Sequence, residues 1–381
     1  MSDFDVVVIG GGLAGSAAAI ALGRAGWRVA LLEQHHHPRH KMCGEFLSPE
    51  TITLFQWLGV WEQVQALQPA LLSSARITAP NGQRLDIDLP GQAMGLSRYR
   101  LDHLLLEQAR AVGVAVFEGC TAREVHGSLE QCFQVTSQEG AFAARVVLGA
   151  WGKRSTMDRT LKRPFFAQRA TFLALKVHLR GPEPEERVEL HAFRGGYCGL
   201  SHIEGGTVNA CLLTNEAAWE RSGREVEHFW EMIQGENRAL AAQLAGAERL
   251  SEHIVISNIS FAPRQAVEQD ILMLGDSAAL ISPLAGNGQA MALQAAQLAA
   301  PLVEEFLRGS LTVASLQAQY AGLWQRQFRE RLLLGRLLQP FFLHPGSLAV
   351  ALHVAAVVPG LASWLVQGTR ERGNGKSKVT K

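Results

Sequence analysis

The sequence predicts an α/β fold in which a Rossmann-like dinucleotide-binding domain is interleaved with an antiparallel-sheet substrate domain and followed by C-terminal helices. Three observations carry that expectation. The chain opens on a buried-strand pattern that runs into Gly10-x-Gly12-x-x-Gly15 and a small-residue helix. It then carries a hairpin signal around Asn81-Gly82 and a strand-rich run over residues 172–213. Further on, Ile271–Leu274 reads as a second buried strand, feeding Gly275-Asp276, a Gly286-Asn287-Gly288 turn and an Ala-rich helix to Leu307.

Asp5-Val6-Val7-Val8-Ile9 has the β-branched character of a buried strand, and Ser16-Ala17-Ala18-Ala19-Ile20 continues as a helix. Gly10 permits the tight turn between them, Gly12 lets a pyrophosphate approach the backbone, and Gly15 lets helix and strand pack closely. At the first helical residues, Leu13 and Ala14, unpaired N–H groups and the positive end of the helix dipole face an anion. A second strand, Trp27–Leu32, ends in Glu33. That acid stands about 20 residues past the glycines, where the dinucleotide fingerprint places a ribose ligand. NAD(P) and FAD both satisfy this stretch.

The chain has 381 residues, enough for a large core and more than one lobe. Apolar residues make up 47% and charged residues 19%, the composition of a globular protein. A net charge of +1 supplies no global field toward nucleic acid. The five cysteines, Cys43, Cys120, Cys132, Cys198 and Cys211, are scattered, odd in number and lack a Cys-x-x-Cys pair. That argues against a disulfide framework or a structural zinc site and fits a reducing compartment. The first apolar run is already a strand, so no signal peptide is expected and the expected location is cytoplasmic.

After Glu33, the His35-His36-His37 trio converges poorly on one ion and no acid cluster accompanies it, so it reads as a solvated loop and no metal is expected. Lys41-x-Cys43-Gly44-Glu45 follows where the chain turns back toward a cofactor. Cys43 reads as a redox or proton-transfer group, or as a small buried hydrophobe, with Lys41 as the nearby cation that lowers its pKa. Thr51 to Leu58 reads as a helix closed by Gly59. The alternating runs 75–80 and 83–89 flank Asn81-Gly82 and predict a hairpin, an excursion into a second domain. Arg98 and Arg100 stand just ahead of a helix over Leu101–Ala111, where the two readings are that one of them reaches a phosphate or the ribose and that they form surface salt bridges. Strands over 172–179, 187–193, 197–203 and 207–213 supply the wall of the substrate domain. Residues 216–247 read as helical with a break near Gly235. In the late glycine-rich stretch, Asp276 arrives at a strand end, where an acid hydrogen-bonds cofactor hydroxyls. There Gly286, Asn287 and Gly288 let backbone N–H groups at a helix N-terminus face the electron-rich edge of a ring.

Together these stretches resemble FAD-dependent oxidoreductases of the aromatic-hydroxylase fold, and within that group the geranylgeranyl reductase family. The resemblance spans about residues 4 to 310. It implies an FAD-binding domain of the glutathione-reductase type from residues 1–72, 97–165 and 261–310, with a substrate-binding domain from 73–96 and 166–260. A C-terminal helical region, 311–366, and a basic tail, 367–381, complete the chain. By this likeness Gly10, Gly12, Leu13, Ala14, Gly15 and Glu33 hold the ADP half of FAD, and Arg98 contacts the cofactor. Gly275 and Asp276 lie at the ribityl–pyrophosphate region, and Pro283 with Gly286, Asn287 and Gly288 at the flavin pyrimidine edge. Lys41, Cys43 and Gly44 resemble the reductases' Cys-Gly segment beside the active site, which makes Cys43 the catalytic candidate. Two departures stand out. Related hydroxylases carry Gly-Ala-Asp-Gly-x-x-Ser, whereas this chain has Gly149-Ala150-Trp151-Gly152-Lys153-Arg154-Ser155, and the Trp-x-Trp-x-x-Pro segment of flavin halogenases is absent from the sequence. The reductases' aromatic substrate motif is partly echoed by Gly196-Tyr197-Cys198-Gly199-Leu200.

The resemblance implies an FAD-dependent reductase that delivers hydride from flavin N5 to a C=C bond of an apolar isoprenoid or lipid-like substrate. NAD(P)H or a ferredoxin-type donor is the expected reductant. The alternatives are a monooxygenase acting through a C4a-hydroperoxide on an apolar or polyketide-type substrate, and a non-catalytic membrane-associated flavoprotein. The apolar stretch 347–366 admits three readings: helices covering a lipophilic pocket, peripheral membrane contact, and a span interrupted by Pro359-Gly360. Monomer and homodimer both stay open.

Overall fold

The computed structural model describes residues 3–182, 185–358, 360 and 368. Gly360 and Gly368 apart, the end of the 347–366 stretch and the basic tail therefore lie outside the described residues.

Strand β1 (Phe4–Ile9) runs through the glycine turn into helix α1 (Leu13–Arg24), and β2 (Val29–Glu33) lies parallel to β1 with Val6 opposite Val29. The hairpin forms from β3 (Ala70–Thr78) and β4 (Arg84–Gly95), Thr78 opposite Arg84. Helix α2 (Arg98–Ala111) begins three residues earlier than the apolar pattern indicates, because Ser97 caps it by accepting from the Arg100 N–H. Strands β5 (Ala115–Glu118) and β6 (Gly140–Gly149) follow. Next come β7 (Phe172–Arg180), β8 (Arg187–Phe193), β9 (Gly196–His202) and β10 (Val208–Asn215). Strand β11 (Ile271–Met273) precedes the long helices α3 (Gly288–Leu307), α4 (Val313–Leu343) and α5 (Pro345–Val357).

Two sheets result. In the first, β11, β6, β1, β2 and β5 stand side by side and parallel, the arrangement that β-helix-β crossovers produce. The second runs β7-β10-β9-β8-β3-β4 and is antiparallel except where β8 meets β3. It starts at Ala70 and takes in Phe46–Leu47 beside β4, so it draws on the segment 1–72 as well as on 73–96.

The first sheet is buried on both faces, with Val6, Val7 and Val8 fully enclosed among α1, α2 and α3. The second sheet has two unlike faces. Along β7 the side chains alternate: Leu173, Leu175 and Val177 pack with Phe193, Phe229 and Leu240 under helices of the 216–244 segment. Ala174, Ala192, Tyr197 and Leu213 point the other way, toward Phe342 of α4 and Leu348 and Leu352 of α5. The helical segment breaks at Asn237, two residues past Gly235. Asn237 caps the next helix by accepting from the Ala239 and Leu240 N–H groups, and its amide donates to the Ala192 carbonyl. Helix α4 continues through Pro340 and ends at His344, where α5 turns away by 117°.

Candidate active site

A single cavity of about 960 Å³ brings the separate glycine stretches together. Its wall takes Gly12, Leu13 and Ala14 from the start of α1, Arg98 from α2, and Cys43 and Gly44 from the loop after β2. Gly275 and Asp276 follow from the end of β11, then Pro283, Gly286, Asn287 and Gly288 ahead of α3. From this end the cavity continues over the hollow face of the second sheet, past Ile77, Ile87, Leu190, Tyr197 and Leu213, to Phe342 and Leu348. The polar motif residues cluster at one end, and the rest of the wall is almost wholly apolar.

The glycines separate what the chain needs for itself from what it keeps open. A Cβ on Gly10 would stand 2.3 Å from the Ala150 carbonyl oxygen, and one on Gly15 only 1.9 Å from the Gly10 oxygen. These two are required by backbone packing. A Cβ on Gly12 would meet nothing nearer than Arg98 Nη2 at 3.8 Å and Lys41 Nζ at 3.9 Å. The protein leaves space there, between a helix N-terminus and two cations, which is the cradle a pyrophosphate fills. Glu33 stands behind the turn: its Oε2 accepts from the Gly11 N–H (2.8 Å) and its Oε1 from the His35 N–H (3.0 Å).

Lys41, Arg98 and Asp102 form one buried cluster. Lys41 Nζ donates to Asp102 Oδ2 at 2.6 Å, and Arg98 donates to both Asp102 oxygens at 2.5 and 2.8 Å. Burial opposes the Asp102 charge, but Arg98 and Lys41 outweigh it and hold the carboxyl well below its usual range. Burial likewise opposes the Arg98 charge, and Asp102 with Cys43 beside it hold the guanidinium above its ordinary value. For Lys41 burial prevails over the Asp102 contact, and its ammonium is lowered. The cation at the Cys43 sulfur is therefore Arg98, with Lys41 engaged by Asp102. Of the two arginines in the first turn of α2, Arg98 faces the cavity and Arg100 reaches the Leu67 carbonyl instead.

Three features of the site carry no sequence motif. Glu45 follows Cys43 with a left-handed backbone (φ 54°), and its carboxylate takes Lys176 Nζ at 2.5 Å, His178 Nε2 at 2.7 Å and the Arg98 N–H at 2.9 Å. Burial raises this carboxyl, yet the His178 and Lys176 contacts prevail and lower it. The loop is tied further to the second sheet by Lys176 Nζ on the Lys41 carbonyl and Asn209 Nδ2 on the Cys43 carbonyl. Arg264 braces the late motif to the Trp151 turn: it donates to the Asp276 and Lys153 carbonyls at 2.5 and 2.6 Å, and burial lowers it to about 10. Trp151, in place of the hydroxylases' acid, donates its indole N–H to the buried Asp158 at 2.9 Å, which also holds Arg163 at 3.0 Å. An acid thus meets this turn from seven residues downstream and is turned inward, into the protein.

The Tyr197 hydroxyl is buried on the cavity wall and lacks a well-formed hydrogen bond among the described residues. Burial, reinforced by Cys211, keeps its proton on far past the ordinary tyrosine range. In the histidine loop, His35 and His36 are exposed, but the His37 ring is enclosed and lies 3.3 Å from Glu118, so that loop is solvated only in part. Among the described residues no three His, Cys, Asp or Glu side chains converge as metal ligands.

Residues 3–321 match the family model described as an FAD binding domain. The chain is 26% identical over 321 residues to a menaquinone reductase of Mycolicibacterium smegmatis, covering 78% of this chain and 76% of that protein. It is 27% identical over 343 residues to digeranylgeranylglycerophospholipid reductase 2 of Methanopyrus kandleri, covering 86% and 83%. The structure of the flavin-dependent brominase Bmp2 superposes with a TM-score of 0.81 at 17% identity, over 96% of this chain and 93% of that one, which is a likeness of fold. With the family match spanning most of its length and the open cradle at Gly12 fitting the cofactor, the chain belongs to the FAD-binding-domain family and is an FAD-dependent oxidoreductase.

Proposed function

We propose that this protein is a reductase that saturates a carbon–carbon double bond in an apolar, isoprenoid or lipid-like substrate. The observation that supports this reading is the cavity itself: a flavin-side end furnished with glycines and charges, continuous with a long apolar end suited to a chain of hydrocarbon. Two of the similar proteins are, by their names, reductases of menaquinone and of a digeranylgeranyl phospholipid.

Gly12, Leu13 and Ala14 take the pyrophosphate, with Arg98 and Lys41 offsetting its charge, and Glu33 takes the adenosine ribose. Asp276 and the Gly286–Gly288 backbone meet the flavin side. FAD held there, once reduced by NAD(P)H or a ferredoxin-type donor, would supply the hydride that one alkene carbon needs. Cys43, at the junction of the polar and apolar ends, donates the proton to the other carbon, so the π bond is replaced by two C–H bonds. The Glu45 contacts with Lys176, His178 and Arg98 N–H fix the loop that carries Cys43. The apolar wall excludes water from the reacting carbons.

The test is anaerobic incubation of the reduced holoprotein with a polyprenyl lipid extract, followed by mass analysis. A product heavier by two hydrogen atoms is expected, and Cys43→Ser is expected to slow its formation at least about a hundredfold, the low end for loss of a general acid. Product that forms only with oxygen and gains one oxygen atom overturns the reading in favour of a monooxygenase.

A further inference from the structure

Helices α4 and α5 close the apolar end of the cavity with one face and leave a second apolar face outside. Leu333, Leu337 and Phe341 recur every four residues along α4, and Val350, Val354 and Val357 follow the same helical spacing along α5. All six are exposed, Leu337 to 67%, Val350 to 66% and Val357 to 65%. Helix α5 is apolar on every side, yet the side chains that it buries are Leu348 and Leu352. A helix apolar all round needs an apolar neighbour on each face, and here the protein supplies one of them.

We infer that this outer face docks on an anionic lipid bilayer, and that the cavity takes its substrate directly from the membrane. Two observations choose that occupant. Phe341, Val350 and Val354 are exposed and also line the cavity, so the docking face is the rim of the substrate entrance. Residues 337–369 carry no Asp, Glu, Lys or Arg, while residues 370–381 hold five basic residues against one acid. An uncharged apolar segment followed by a cluster of cations matches the layered chemistry of acyl chains under anionic headgroups. None of the described helices is long and apolar enough by itself to cross a membrane, and α4 and α5 meet at 117°, so the contact we infer is a peripheral one. The substrate side of the inference rests on the proposed reductase reading; the lipid-surface side does not.

The experiment sediments the full-length holoprotein with phosphatidylcholine vesicles containing about one quarter phosphatidylglycerol, and with phosphatidylcholine vesicles alone. The protein is expected to pellet with the anionic vesicles and to be partly released by salt. Leu337→Glu combined with Val357→Glu, two positions outside the cavity wall, is expected to lower the bound fraction about tenfold. Unchanged flavin content and flavin absorbance show that the variant is folded. Wild type left in the supernatant, or a variant that pellets as well as wild type, overturns the inference. So does a wild-type dimer in solution that the double variant dissociates, since a second copy then covers the face. Vesicle binding without reductase product refutes the reaction and leaves the docking standing; product from detergent-dispersed lipid without vesicle binding does the reverse.

Discussion

The two faces of the second sheet come from the same strands and end in opposite states. One face is packed: Leu173, Leu175, Val177, Phe193 and Leu212 lie buried against Phe229, Ile233 and Leu240. The other presents Ala174, Ala192, Tyr197 and Leu213 to a cavity, and its lid arrives from more than a hundred residues downstream. Stability and function divide this sheet by alternation. Every second side chain holds the domain together, and those between hold a space open.

The largest loss is expected at Phe229 on the packed face. Phe229→Ala is expected to cost about 3–5 kcal/mol in urea unfolding, the price of a buried aromatic and the void it leaves. The folded fraction should retain its flavin spectrum.

Glu45→Gln tests the polar strip where the hollow face meets the flavin domain. It leaves Lys176 enclosed without its counter-charge, and a loss of about 3 kcal/mol is expected at neutral pH by the same unfolding measurement. The variant also has a pH signature. The Glu45 carboxyl is lowered in the folded state, so its contribution is fully present above the unfolded value of about 4.3 and is lost as pH falls through the folded one. Wild type should therefore lose stability below about pH 4 more steeply than the variant, and the two unfolding midpoints should converge in acid.

Gly12→Val separates cofactor from scaffold. With its nearest neighbour 3.8 Å away, the new side chain should cost the apoprotein no more than about 1 kcal/mol, while flavin titration shows affinity down by at least about tenfold. Leu190→Trp on the hollow face is the gentlest change. Filling empty space should shift stability by less than about 1 kcal/mol, yet turnover of long apolar substrates should fall when shorter ones are still accepted.

Much of this architecture is legible in the sequence because its signals are local. Gly10 to Gly15, the Asn81-Gly82 hairpin and the strand leading to Gly275-Asp276 each declare themselves within a dozen residues. The Glu45–Lys176–His178 cluster does not, since its members stand up to 133 residues apart and match no spacing rule. A signal existed nonetheless: Lys176 and His178 alternate with Leu175, Val177 and Leu179, which marks one side of an otherwise apolar strand as needing a buried acid. The start of α2 at Arg98 was hidden for another reason. A cap is set by Ser97, whereas an apolar period begins only where the helix first meets the core. The inward-turned Asp158 was legible only as the acid of a Ser155-x-x-Asp158 capping box, because only the folded turn brings it under the Trp151 indole.

The order of the parallel strands in the first sheet has a consequence for biosynthesis. Strand β1 emerges first, but its neighbour β6 follows only after residue 140 and β11 only after residue 271. The glycine turn at residues 10–12 is thus synthesised long before the walls that complete its pocket. A nascent chain carries half of a cofactor site through most of translation, with apolar strands awaiting distant partners. FAD can act as a late keystone: it stabilises the finished fold by mass action and gives nothing to the intermediates that precede it. Riboflavin supply during expression should accordingly govern how much of the completed chain survives, with little influence on how fast it is made.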